Sequence, residues 1–129
     1  MARGLIQRSV QFEEILENHT TYLNDPNNEL ETTDIGKAVC LIANKTVGFG
    51  WDGADVIGIL KVVHADGVVV VQDAGYKEEV PYSSVPAVGD RIVSNGAGSV
   101  KPVASSAGVG SHKVVSVDTT NEECILKLD

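Results

Sequence analysis

From Gly36 onward, apolar residues fall into short runs broken at near-regular intervals by glycine-centred turns. Runs rich in β-branched residues and bounded by Gly, Asn and Asp read as strands. Residues 37–43 form the first candidate, 56–64 the second and 68–72 the third. Asp66-Gly67 lies between the last two and predicts a type I′ hairpin, whose two central residues both need positive φ. Residues 76–81 are a fourth candidate. Val88-Gly89-Asp90 then turns the chain into residues 91–94, Asn95-Gly96 opens another turn, and residues 99–103 follow. Residues 105–111 are a loop by composition. The last two strands cover 113–117 and 124–128. In the latter, Cys124, Leu126 and Leu128 fall opposite Lys127, the alternation of a sheet with one wet face. About eight short strands at this spacing predict an all-β fold, a small barrel or sandwich, over residues 35–129.

Residues 1–34 have a different pattern. Their apolar positions are sparse, and Phe12, Ile15 and Leu16 have helical spacing. That spacing predicts one short helix over residues 9–18, below the length at which isolated helices hold in water. Asn24-Asp25-Pro26-Asn27-Asn28 reads as a turn or linker. The expected organisation is therefore an N-terminal acidic arm, residues 1–34, followed by a β-domain, residues 35–129.

Composition sharpens this division. Of 20 valines only Val10 precedes Gly36, and 12 of the 13 glycines lie from Gly36 onward. The formal charge of −8 is also uneven. The arm holds two basic and seven acidic residues, a net −5, leaving −3 for the rest. An acidic chain lacks the basic face that nucleic acid or an anionic membrane needs, so neither is expected as a partner. Six aromatic residues, dispersed along the chain, make a poor stacking platform for bases. The first 20 residues lack the apolar centre of a signal peptide, and no stretch approaches the roughly 20 apolar residues of a membrane span. The expected setting is cytosolic and reducing. Cys40 and Cys124 each sit in an apolar run and read as buried free thiols; a disulfide stays open if their strands are neighbours.

Motifs for chemistry fail on context. Gly48-Phe49-Gly50-Trp51-Asp52-Gly53 matches G-x-G-x-x-G, but the residues after it are strand-like and no helix opens to receive a pyrophosphate. Gly108 to Lys113 lacks phosphate-loop spacing. His19, His64 and His112 are far apart and read as surface histidines rather than metal ligands. No serine sits in a G-x-S-x-G elbow. Glu78-Glu79 and Glu122-Glu123 are adjacent, so on a regular strand each pair points to opposite sides. No catalytic residue, cofactor or metal is expected, and the chain reads as a non-enzyme.

One stretch carries a resemblance. The run GKAVCLIANKTVGFGWDGADVIGIL, residues 36–60, is similar to the capsid decoration proteins of tailed bacteriophages, also called cement or head-stabilisation proteins. DGVVVVQDAG, VPAVGDRIVSNGAGSVKP and KVVSVDTT follow in the family's order, so the likeness spans residues 36–129. It implies a non-enzymatic structural protein of the virion, made in the host cytoplasm and bound to the outer capsid surface. The implied partners are the major capsid protein and further copies of itself, as a homotrimer. Extended, 34 residues span at most about 110 Å, enough for the arm to reach a neighbouring capsid subunit. Its contact residues would be Arg3, Phe12, Ile15, Leu16, Tyr22 and Leu23. The alternatives are a small β-barrel module that binds a ligand or partner outside any virion, and a small trimeric all-β enzyme.

Overall fold

The computed structural model describes residues 18–103 and 112–128. These form nine strands: β1 (Asn18–Asn24), β2 (Ala38–Ala43), β3 (Thr46–Gly48), β4 (Gly58–Val63), β5 (Val68–Pro81), β6 (Arg91–Ser94), β7 (Val100–Val103), β8 (Lys113–Asp118) and β9 (Glu123–Leu128). One 3-10 turn, Thr32–Asp34, lies between β1 and β2. Strands β1-β3-β2-β4-β5 pair in that order, and β5 pairs back onto β1, closing a five-stranded barrel. β1 and β3 run parallel, and the other ladders are antiparallel.

β5 belongs to two sheets. Its first half pairs with β1 and β4. Gly75, at φ +93°, marks the change of partner, and the second half pairs with β9, which carries β8. β6 and β7 form a hairpin of their own. Because strand side chains alternate, the walls β2 and β4 feed two cores. Val39 and Leu60 point into the barrel with Leu30, Val47, Val69 and Val71. Ala38, Cys40 and Ile59 point outward, against Val80, Ile92, Val100, Val114, Leu126 and Leu128.

The all-β fold expected from the pattern is present, and of the barrel or sandwich it allowed, the chain forms the barrel, with extra strands. Several local expectations are corrected. Residues 18–24, assigned to the arm, are the barrel strand β1, tied at one end by Thr20 Oγ1 donating to Asp73 at 2.6 Å. At the other end Asn24 exchanges two hydrogen bonds with the backbone of Leu30, which is 2% exposed and fills the barrel. The division at residue 35 therefore cuts through the barrel. Asn18 is in a strand, and the rest of the predicted helix, residues 9–17, lies outside the described residues. So does the predicted loop 105–111.

The candidate strands 68–72 and 76–81 are one, β5, because the Ala74-Gly75 break exchanges partners without ending the ladder. The Asp66-Gly67 turn is not type I′. His64 N donates to the Val68 carbonyl across three residues, and of the turn only Gly67 has positive φ. That is the three-residue hairpin loop with glycine in the left-handed position.

Candidate functional site

Two surface features stand out. The first is built around Trp51. Gly50 turns the chain at φ +72°, and a Cβ there would press on Cys40 at 2.9 Å, so glycine is required. The Trp51 carbonyl accepts from Ala54 N at 3.0 Å, closing the turn. Asp52 bridges to Asn95, Gly53 N donates to the Ser94 carbonyl, and the Asp52 carboxylate pairs with Lys101 at 2.6 Å. Beneath it, the Phe49 carbonyl accepts from Ser94 Oγ at 3.1 Å. The backbone is thus clamped to the β6–β7 hairpin while the indole is left 62% exposed. Beside it runs a groove of about 370 Å³ lined by Leu41, Trp51, Ala54, Asp55, Val56 and Ile57. Leu41 is itself half-exposed.

The second feature is charged. A cleft of about 450 Å³ at the seam of β4, β5 and β9 is lined by Ile35, Gly36, Leu60, Lys61, Lys77, Glu79 and Glu123. Glu79 and Glu123 also line an adjoining pocket of about 320 Å³ with Glu78, Ser116, Asp118 and Asn121. A bulge between Lys77 and Val80, with Glu79 at φ +58°, lets Glu78 and Glu79 line one pocket. This overturns the expectation that the pair points to opposite sides; bulges re-aim side chains in this way. Burial pushes the Lys77 ammonium below the usual lysine range, Lys61 adds to the shift, and Glu79, Glu78 and Glu123 oppose it. Hydrogen bonds from the Asn121 side chain, then from the Asn121 and Thr120 backbone, hold Asp118 below the usual carboxylate range.

Of the six contact residues named from sequence, two, Tyr22 and Leu23, are among the described residues. Tyr22 packs against the barrel core, so it is a structural residue and not a free anchor. Leu23, on the same strand, faces outward and is 50% exposed. Arg3, Phe12, Ile15 and Leu16 lie outside the described residues. His112 is 4% exposed, with Nε2 2.9 Å from the Val56 carbonyl, which corrects its reading as a surface histidine. Cys40 and Cys124 are buried free thiols. Among the described residues, no cluster of three or more His, Cys, Asp or Glu side chains is arranged to hold a metal ion. No described helix is long and apolar enough to cross a membrane.

The G-F-G-W-D-G run was set aside as a dinucleotide motif, and its tryptophan was passed over. The available signal was a lone Trp in a glycine-rich turn, where no core is at hand to cover it. No family model matches the chain, and no curated protein matches it.

Proposed function

We propose that this chain is a non-enzymatic decoration protein that binds the outer surface of an assembled phage capsid and stabilises it. The observation that carries the reading is Trp51: a large aromatic, mostly exposed, on a backbone clamped by Asp52 and Gly53. Fixed aromatics beside apolar grooves are the usual anchors of protein interfaces, because little entropy is lost when they are covered. Trp51 also lies inside residues 36–60, the stretch that carries the resemblance to cement proteins.

Such a protein acts by mass action. It binds a composite surface of the mature shell and so favours that shell over looser states. A homotrimer would present three copies of the groove, and several modest contacts held in one geometry give avidity. With β1 inside the barrel, the segment left to reach the major capsid protein is residues 1–17, at most about 60 Å extended. Arg3, Phe12, Ile15 and Leu16 remain its contact residues, and Leu23 is offered from the barrel wall.

Co-sedimentation with expanded and unexpanded capsids tests the proposal. Binding is expected to the expanded form alone, and Trp51→Ala should weaken it by at least about 2 kcal/mol, roughly 30-fold. Equal binding to both forms, or to neither, would favour a partner-binding module with no virion role.

A further inference from the structure

The charged cleft offers a second kind of contact. Lys61 and Lys77 line it together, although Lys61 stands on β4 and Lys77 on the far half of β5. An ammonium group has three donors. Lys77 Nζ uses one, on the Glu78 carbonyl at 2.8 Å. Among the described residues, neither lysine forms a salt bridge; the ion pairs are Lys37–Asp34 and Lys101–Asp52. Glu79 and Glu123 border the same cleft without pairing with either lysine. The cleft therefore holds two nearby cations with donors to spare, one of them half-buried.

We propose that this cleft binds a carboxylate carried on a short aliphatic stem, its oxygens held between the ammonium groups of Lys61 and Lys77. Charge-assisted hydrogen bonds of this kind are the strong ones, and partial burial keeps water from screening them. The two glutamates set the permitted charge. Two ammonium groups and two carboxylates leave the lining neutral, so a monoanion brings the cleft to −1 and is better tolerated than a phosphate near −2, which Glu79 and Glu123 repel more strongly. The apolar lining sets the rest of the ligand. Ile35, 46% exposed on the cleft's rim, gives methylene groups a surface to cover. Burial and the neighbouring Lys61 disfavour the charge of Lys77 more than Glu79, Glu78 and Glu123 favour it, and a carboxylate placed between the two lysines offsets their mutual repulsion.

The same chemistry is available from a free small carboxylic acid or from a glutamate side chain of a protein partner. Titrations of the full chain with butyrate, with N-acetylglutamate N-methylamide and with inorganic phosphate, at fixed ionic strength, separate these. Amide and lysine side-chain NMR shifts are the readout. Both carboxylates are expected to give saturable shifts centred on Gly36, Lys61, Lys77 and Glu79. Lys77→Gln and Lys61→Gln should each raise Kd at least tenfold, while Lys45→Gln, on the β2–β3 turn, leaves it unchanged. Tighter binding of the capped glutamate points to a protein partner, and tighter binding of butyrate to a free acid. Linear shifts without saturation, phosphate binding as tight as the carboxylates, or unchanged Kd in both cleft variants would overturn the proposal. Lys77→Met keeps the apolar stem and serves as a second variant should Lys77→Gln fold poorly.

Discussion

Glycines at two positions illustrate two different constraints. A Cβ on Gly58 would overlap the backbone oxygen of Gln72 and lie 2.6 Å from Val71 Cγ1. Those atoms belong to β5, the ladder partner of β4, so a shift there disturbs the barrel wall. Gly67 has open space around it, but φ is +86°. Gly58→Ala is expected to cost at least about 3 kcal/mol of stability and Gly67→Ala about 1 kcal/mol, measured by urea unfolding. Equal losses would contradict the packing account of Gly58. The buried thiols predict an alkaline limit. Burial, with a smaller push from Glu123, raises Cys124 from its ordinary 9.0 to about 11. A raised folded-state pKa means the neutral thiol is preferred in the fold. Its contribution is complete below pH 9 and is lost as pH climbs from 9 towards 11. Burial raises Cys40 in the same direction. Stability measured at pH 8 and pH 10.5 should therefore fall less in Cys124→Ala than in the parent chain.

At the scale of elements, β1 decides where the folded domain begins. It supplies both a parallel ladder to β3 and an antiparallel ladder to β5. Removing it leaves two barrel strands with open edges. Deleting residues 2–34 is expected to abolish the cooperative urea transition. Deleting residues 2–17 should preserve it, because the ladders of β1 start at Asn18 and His19. A folded product from the longer deletion would show that closure by β1 is dispensable. This strand also marks the limit of what the sequence discloses. β2, β4, β6, β8 and β9 could be read within a residue or two at most of their ends, because apolar alternation and flanking turns are local signals. β1 reads NHTTYLN, polar at nearly every position, and is a strand because β5 and β3 hold it. β3 is three residues long, too short for any period to show. The charged cleft was illegible for a related reason. Lys61 and Lys77 meet only after β5 changes partners at Gly75, an event no local pattern records. Trp51 was visible as a residue, but its exposure depends on Asn95 and Lys101, more than 40 positions away.

For the whole molecule, the shared walls make the two cores one cooperative unit. Ile59 and Leu60 are adjacent on β4, both 0% exposed, and serve different cores. Val39 and Cys40 do the same on β2. Neither core can lose its packing while β2 and β4 keep their places, since a strand that shifts for one face shifts for the other. A barrel that melted separately would leave the Ile59 side of its wall without support. Leu60→Ala, in the barrel, and Leu126→Ala, in the outer core, are each expected to cost about 2–5 kcal/mol. Both should lower the same urea midpoint, without splitting the transition and with an unchanged denaturant slope. Far-UV circular dichroism and amide hydrogen exchange read at β5 and β9 provide independent probes, and their transitions should coincide in both variants. Two separated transitions in either variant would mean that β4 is a boundary between independent units. In that case the β8–β9 sheet would open while the barrel stands, taking with it the Glu123 side of the charged cleft but leaving Lys61 and Ile35 in place.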